Sequence, residues 1–256
     1  MSKVKVLILR APGTNRDVDT QIAFEAAGAE VSSSPVTGLF RKEKRLADYH
    51  IAVIPGGFTY GDDISAGRIM ANEIRLRLGG DIKKFVDDGR LVLGICNGFQ
   101  VLVKTGILPG IPGRSAQPVT LTNNDSGKFE CRWVYLKVNQ KSPCVFTKGI
   151  DLIYVPVAHG EGKLVAEDGL LAKLNVVVQY VDEKGKTGAG YPYNPNGSVN
   201  DIAGICDATG RIFGLMPHPE DFIRGTQHPR WTRAKPPENL YGMQIFTNAV
   251  KWAKGI

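Results

Sequence analysis

The feature that most constrains the fold is a short apolar run that ends in a single cysteine and passes directly into a helical pattern. The run is LVLGI at 91–95, the cysteine is Cys96, and NGFQVLVK follows at 97–104. A strand that turns sharply into a helix holds its turn residue on a strained elbow, at the positive end of the helix dipole, where a thiolate is favoured. Gly94 and Gly98 give such an elbow room. We interpret Cys96 as a nucleophile, the alternative being a buried core cysteine before an ordinary turn.

A second apolar run, at 212–216, leads into Pro-His-Pro-Glu at 217–220. In extended backbone, residues two apart point to the same face, so His218 and Glu220 are expected to lie side by side. A base and a carboxylate that orients it are what a cysteine nucleophile requires. Alone, this segment indicates a strand exit with two solvated side chains. Together with Cys96 it predicts a Cys-His-Glu triad.

Strand and helix patterns alternate in the first part of the chain. Strands that are apolar throughout are typical of a parallel sheet covered on both faces. The sequence therefore predicts an α/β fold, a three-layer sandwich with a mostly parallel central sheet and a nucleophile-elbow cysteine. The predicted strands lie at 4–9, 30–33, 51–54 and 91–95. The predicted helices lie at 17–27 and 97–104, and further helical patterns follow the loop at 58–67 and continue to about 88.

The middle of the chain, from about 117 to 180, has a different pattern. Four segments there alternate or run apolar without intervening helices, and they predict antiparallel strands that extend the sheet or are layered beside it. A final amphipathic helix is expected at 239–254, and we interpret residues 1–256 as a single domain. The four segments lie at 119–121, 133–138, 152–155 and 176–180.

Composition excludes several classes of protein. No apolar run approaches the roughly 18 residues of a membrane span and no signal-peptide pattern precedes the first strand, so we expect a soluble, cytoplasmic protein. The four cysteines are too sparse for a disulfide scaffold and lack C-x-x-C spacing.

The chain has 32 Lys and Arg against 25 Asp and Glu, a formal charge of +7. Because its one dense basic run, at 41–45, lacks interleaved aromatic residues, we expect no nucleic-acid partner.

Three segments closely resemble the signature sites of class I (triad-type) glutamine amidotransferases: GGF at 56–58, GICNGFQ at 94–100 and HPE at 218–220. The resemblance spans residue 3 to about 220, and the stretches 41–45 and 222–240 fall outside it. Further segments are similar to the glutaminase subunits of phosphoribosylformylglycinamidine synthases, enzymes of purine biosynthesis. These are APGTNRD at 11–17, GFTYGDD at 57–63, FECR at 129–132, PVAHGEG at 156–162 and YNPNGS at 193–198.

The resemblance implies hydrolysis of glutamine to glutamate and ammonia. The Cys96 thiolate attacks the side-chain carboxamide and forms a γ-glutamyl thioester. His218, held by Glu220, protonates the departing ammonia and then activates the water that cleaves the thioester. We therefore expect Cys96, His218 and Glu220 to be the catalytic residues.

The same resemblance assigns the substrate-binding residues and the oxyanion hole. Backbone N–H groups of Gly57 and Asn97 are the candidates that meet the negative charge on the carboxamide oxygen. Phe58 belongs to the same signature segment as Gly57. Gln100, one turn along the helix from the elbow, is placed to contact the polar end of the substrate, and a hydrogen bond to backbone is the equal alternative for its side chain.

The sequence contains no G-x-x-x-x-G-K-[ST] phosphate loop, so an ATP-dependent step must take place on another chain. By resemblance, the partner is the synthetase subunit that converts formylglycinamide ribonucleotide to its amidine, together with a small accessory subunit. ATP and Mg are expected on that partner. In this chain we expect no cofactor and no metal site.

Other interpretations stay open on the residues alone. A glutaminase of anthranilate, guanylate or carbamoyl phosphate synthesis shares the triad, and a cysteine-elbow hydrolase or redox sensor shares the elbow. A non-catalytic binding module could keep the fold. His159, in AHGEG at 158–162, competes with His218 for the part of the base, although a structured loop near the active site is the simpler interpretation.

Overall fold

The computed structural model describes residues 3–111 and 117–256. Eleven strands and six helices are numbered here in chain order. The strands are β1 Lys5–Arg10, β2 Glu30–Pro35, β3 Ile51–Ile54, β4 Leu91–Ile95, β5 Val119–Asn123, β6 Glu130–Val138, β7 Leu152–His159, β8 Glu161–Ala166, β9 Asn175–Val181, β10 Ile202–Cys206 and β11 Ile212–Leu215. The helices are α1 Asp17–Ala26, α2 Val36–Phe40, α3 Arg68–Arg77, α4 Gly79–Asp87, α5 Asn97–Lys104 and α6 Met243–Ala253.

Nine strands form one sheet in the order β2-β1-β3-β4-β11-β10-β9-β6-β7. Neighbours from β2 to β11 are parallel, and neighbours from β11 to β7 are antiparallel. Every residue of β3, β4, β10 and β11 is buried. Because successive strand residues point to opposite faces, both faces of the sheet are covered there. The predicted parallel core with antiparallel additions is confirmed.

Both arrangements expected for the middle segment are present. Strands β6, β7 and β9 extend the large sheet, whereas β5 pairs with β8 in a separate two-stranded sheet. The sequence patterns did not predict β8, β10 or α2. They also ended β7 too early, at 155, before Pro156. A proline is tolerated at this position because β7 is the edge strand, which has an unpaired side.

The last helix begins later than the predicted residue 239. Residues Glu238–Leu240 form a separate 3-10 turn after Pro237, and α6 starts at Met243. Among the described residues, no helix combines the length and the apolar character that crossing a membrane requires.

Helix α5 lies very close to the sheet because glycines remove side chains between them. A Cβ atom on Gly98 would lie 2.6 Å from the carbonyl carbon of Ile54, and its oxygen would be closer still. A Cβ on Gly94 would lie 2.7 Å from the Gly98 oxygen, and one on Gly214 would overlap the ring of Phe99. This close approach fixes where the first turn of α5, and hence the elbow before it, lies above β3, β4 and β11.

Candidate active site

Cys96 occupies the elbow between β4 and α5. Its backbone has φ 49° and ψ −105°, a conformation that non-glycine residues rarely adopt. Two hydrogen bonds hold it there: Cys96 N–H donates to the Leu215 oxygen at 2.8 Å, and the Cys96 oxygen accepts from the Gln100 amide at 3.1 Å. Strain of this kind persists only where the surroundings impose it, and it clusters at functional sites. The elbow has the predicted geometry, and the role of Cys96 as nucleophile stays a prediction.

His218 follows β11, which lies beside β4 in parallel register, with Leu215 opposite Ile95. The carboxyl ends of these strands therefore meet at one edge of the sheet, where ligands of such sheets bind. His218 Nδ1 and Glu220 Oε1 are 2.7 Å apart, and both side chains are buried.

The local geometry of this pair differs from the prediction. His218 and Glu220 do not share the face of an extended strand, because Pro219–Asp221 form a 3-10 turn and the contact is made across that turn. Proline favours the first position of a helical turn, since its φ is already suitable and its missing N–H is not needed there. The pairing itself is present as the sequence predicted.

His218 is the cationic histidine of the site. Burial by itself would lower the pKa of His218, but Glu220 and the nearby Cys96 sulfur together raise it well above its ordinary value. Its Nε2 makes no hydrogen bond of normal geometry within the described part of the chain. In the protonated ring, Nδ1 donates to Glu220, and the proton on Nε2 is available for transfer.

Asp221 connects this turn to the loop after β1. Its carboxylate accepts a hydrogen bond from Arg16 Nη1 at 3.1 Å. Burial and the neighbouring Glu220 raise the pKa of Asp221 to about 6, against the opposing effects of His218 and Arg16. The Arg16 contact therefore holds a second carboxyl group beside the His218–Glu220 pair.

The loop after β3 reaches the same edge of the sheet. Gly57 has φ 143°, and its backbone forms an isolated antiparallel bridge with Thr14 of the loop after β1. A Cβ on Gly57 would lie 2.8 Å from the Asn15 nitrogen, and one on Gly56 would lie 2.8 Å from His218 Cε1. The loops after β1, β3, β4 and β11 therefore converge at this edge, and their close approach depends on glycine.

Phe58 lies at the rim of this region rather than deep within it. Its side chain is 43% exposed, and its ring centroid is 6.4 Å from that of Phe129, which is 53% exposed. Two aromatic rings thus flank the approach to Cys96.

The side chain of Asn97 makes hydrogen bonds that the sequence did not indicate. Its Oδ1 accepts from the Thr59 hydroxyl at 2.6 Å, and its Nδ2 donates to Asp62 Oδ1 at 2.9 Å and to Gln100 Oε1 at 3.1 Å. The side chain therefore fastens the loop at 58–67 to α5. Because Asn97 is the first residue of α5, its backbone N–H has no intrahelical acceptor.

Gln100 is buried, and the protein engages its side chain at both ends. Its Oε1 accepts from Asn97, and its Nε2 donates to the Glu161 backbone oxygen at 2.5 Å. Gln100 thus makes a hydrogen bond to backbone, which is one of the two alternatives for this residue, and its contact with substrate stays a prediction.

A second set of contacts closes the loop at 58–67, and sequence reasoning missed it. The Glu161 carboxylate accepts from the Ala66 amide at 3.2 Å. Lys104, which is buried, donates to the Ala66 oxygen and lies 3.9 Å from Glu161 Oε2. No local pattern reveals this set, because its members lie on different elements.

A cavity of about 20 Å³ adjoins Cys96. That volume has room for about one water molecule and not for an amino acid. The space beside Cys96 is therefore too small for glutamine in this conformation, and the loop at 58–67 forms part of its wall. The lining residues are Gly57, Phe58, Asp62, Ala66, Cys96, Gln100, Ala158, His159, Gly160 and Glu161.

His159 lines this cavity, at the end of β7. Its Nδ1 lies 3.1 Å from Asn124 Oδ1, a partner that sequence reasoning did not identify. Burial, assisted by the charge of His218, lowers the pKa of His159 to about 4, so the ring is neutral where His218 is charged. Among residues 3–111 and 117–256, no group of three or more His, Cys, Asp or Glu side chains is placed to hold a metal ion.

Comparison with known proteins decides the family. Residues 3–253 match the model of the CobB/CobQ-like glutamine amidotransferase domain. The chain belongs to this family. The match extends past residue 220, where the sequence resemblance ended, and includes 222–240.

Named relatives narrow the comparison. The chain is 58% identical over 256 residues to phosphoribosylformylglycinamidine synthase subunit PurQ of Dehalococcoides mccartyi, with 100% of both chains covered. It is 42% identical to the protein of the same name from Methanococcus maripaludis, over 97% of each chain. Among solved structures, a chain of PurLQS from Thermotoga maritima matches with a TM-score of 0.75 and 32% identity, covering 98% of this chain and 99% of that one. The family predicted from the sequence segments is confirmed.

Proposed function

We propose that this chain is the glutaminase subunit of a phosphoribosylformylglycinamidine synthase. It hydrolyses glutamine to glutamate and ammonia, and the ammonia passes to an ATP-dependent synthetase subunit that amidates formylglycinamide ribonucleotide in purine biosynthesis. The observation that carries this proposal is the 58% identity to a PurQ subunit over the full length of both chains. The buried His218–Glu220 pair beside Cys96 supplies the chemistry.

The catalytic residues are Cys96, His218 and Glu220. The Cys96 sulfur adds to the carboxamide carbon of glutamine, and His218 donates its Nε2 proton to the departing ammonia. The neutral imidazole then takes a proton from the water that attacks the thioester, which releases glutamate and restores the Cys96 thiolate and the protonated His218. Glu220 stabilises the positive charge of His218 before and after these steps.

The oxyanion hole consists of the backbone N–H groups of Gly57 and Asn97. The absence of a side chain at Gly57 allows the loop after β1 to pack against its backbone, and the amide of Asn97 lies at the positive end of α5. Phe58 covers the bound substrate at the rim. Gln100 contacts its polar end after giving up the hydrogen bond to Glu161.

Assembly with a synthetase subunit follows from the likeness to a chain of PurLQS, and we extend it to a small accessory subunit. ATP and Mg bind to the synthetase subunit, since this chain has no phosphate loop. Residues 1–256 act as one glutamine amidotransferase domain in the cytoplasm. Because the cavity of about 20 Å³ does not admit glutamine, the isolated chain is a weak glutaminase and the partner opens the site.

The test is glutamate formation by the purified chain and by Cys96→Ala, each alone and with the synthetase subunit, ATP and formylglycinamide ribonucleotide. We expect glutamate that depends on Cys96 and rises at least about tenfold with the complete mixture, since a closed site must first open. Replacing formylglycinamide ribonucleotide, the acceptor of the ammonia, by chorismate or xanthylate tests for anthranilate or guanylate synthesis. If wild type and Cys96→Ala are equally inactive in every mixture, and a glutamine analogue does not label Cys96, the proposal is wrong.

A further inference from the structure

One buried polar atom at the cavity is not used by the proposed mechanism. His159 is 3% exposed, and its Nε2 has no hydrogen-bond partner among the residues that the structure describes. His159 lines the same cavity as Cys96. A buried polar atom without a partner is unfavourable, and at a ligand site it indicates a group that the ligand satisfies.

The neighbouring Asn124 determines which ring nitrogen of His159 carries the proton. Asn124 Nδ2 donates to two backbone oxygens, that of His159 at 2.7 Å and that of Lys128 at 2.9 Å. Its Oδ1 must therefore be the atom that faces His159 Nδ1 at 3.1 Å. An amide oxygen only accepts hydrogen bonds, so Nδ1 carries the hydrogen atom. Nε2 therefore has a lone pair that is free to accept a hydrogen bond. The low pKa of His159 agrees with a neutral ring.

The two histidines of the site thus have opposite hydrogen-bonding characters. His218 is protonated and can only donate from Nε2, whereas His159 can only accept there. The side-chain amides of Asn97 and Gln100 are directed elsewhere, to Asp62 and to the Glu161 backbone. Neither of these side-chain amides donates to His159, so an N–H group of a bound molecule can supply the missing donor.

We propose that His159 Nε2 accepts a hydrogen bond from the carboxamide N–H of bound glutamine and makes the site selective for glutamine over glutamate. This inference rests on the proposed glutaminase function. The carboxamide of glutamine has two N–H donors, and the carboxylate of glutamate has none. The contact turns the carboxamide oxygen away from His159, towards the amides of Gly57 and Asn97. After hydrolysis, the new carboxylate faces the lone pair of His159, which favours release of glutamate.

The matched variants His159→Met and His159→Gln test this proposal. Met and Gln have side chains of similar length, but only Gln provides an acceptor. Both are assembled with the synthetase subunit and compared with wild type for the KM of glutamine, the inhibition constant of glutamate and the thermal unfolding midpoint. We expect His159→Met to lower the ratio of glutamate inhibition constant to glutamine KM about tenfold or more, because a site built to bond an N–H rejects molecules that lack it. His159→Gln should recover most of that ratio.

The outcomes separate this inference from the function on which it rests. Wild-type selectivity in both variants overturns the role of His159. A loss of kcat with a shifted pH profile and an unchanged ratio also overturns it, because that result assigns proton transfer to His159 instead. Absence of Cys96-dependent glutaminase activity in the wild-type complex rejects the proposed function itself.

A second measurement needs no substitution at His159. The Cys96→Ala chain, labelled with nitrogen-15 histidine, is assembled with unlabelled synthetase. The Nε2 signal of His159 should shift when glutamine is added and stay in place when glutamate is added. Glutamine binding without such a shift overturns the proposal.

Discussion

Replacing Gly98 by alanine tests whether the close approach of α5 to the sheet positions the nucleophile. The new Cβ would lie 2.6 Å from the carbonyl carbon of Ile54, whereas ordinary contacts begin at 3.4 Å. The gap must therefore widen by at least about 0.8 Å, because the Ile54 oxygen would be closer to the new Cβ than the carbonyl carbon is. Ile54 cannot retreat easily, because β3 is paired with β1 on one side and β4 on the other. The first turn of α5 must move instead, and Cys96 precedes that turn.

The size of the effect follows from this displacement. Overpacking of a well-packed core costs about 1–3 kcal/mol of unfolding free energy. A displacement of about 1 Å at a reacting group lowers the rate about 10²-fold. We therefore expect Gly98→Ala to remain folded, with an unfolding free energy reduced by about 2 kcal/mol and a kcat/KM for glutamine reduced about 100-fold.

The assays are urea unfolding of the isolated chain and glutamate release by the complex with the synthetase. Gly80→Ala is the matched control, because Gly80 lies in α4 with nothing within 4 Å of its added Cβ. Alanine stabilises a helix interior by about 0.5–1 kcal/mol relative to glycine, so this control should keep full activity and lose no stability. A Gly98→Ala variant that matches Gly80→Ala in both assays would refute the reasoning.

Three further predictions concern the charges around the triad. Glu220→Gln removes the buried charge that raises the pKa of His218, so kcat should fall at least about tenfold; a wild-type kcat in the complex would contradict this. Asp221 has a folded pKa of about 6, raised from 3.8, so its ionisation disfavours the folded state. Wild type should therefore lose stability relative to Asp221→Asn as the pH rises from 3.8 to about 6, with a constant difference above that range; thermal unfolding midpoints that differ equally at every pH would refute it. Asn97→Asp places a carboxylate against Asp62, and the unfolding free energy should fall by about 2–4 kcal/mol, which an unchanged urea midpoint would contradict.

The sequence predicted those elements best whose burial is complete. Strands β3 and β4 have the predicted bounds, because each is a continuous apolar run buried on both faces. Strand β10, with the sequence IAGIC, is equally buried and was still missed. The structure explains its glycine, Gly204: a Cβ there would lie 2.7 Å from the Gly214 oxygen of the next strand. Gly204 thus weakens the apolar pattern of β10, yet the packing of β10 against β11 requires it.

The contact between His218 and Glu220 was also predictable, although the reason given for it was wrong. Motif spacing indicated Cys96, His218 and Glu220 without any knowledge of the turn at Pro219–Asp221. The closed loop at 58–67 was not predictable in the same way. It is held by Glu161 and Lys104, which follow β7 and end α5, and only the packed fold brings them to Ala66.

The two histidines show most clearly why side-chain chemistry depends on the fold. His159 and His218 are the same residue type, and both are buried beside the same cysteine. His218 faces the carboxylate of Glu220, two residues away, so its sequence neighbours already indicate a cation. His159 faces the amide of Asn124, which lies outside the 158–162 motif and is brought near by the pairing of β5 with β8. Because Asn124 is neutral, burial determines the charge of His159, and burial favours the neutral ring. Under the proposed mechanism the ring of His218 is therefore an acid, whereas the ring of His159 is a hydrogen-bond acceptor.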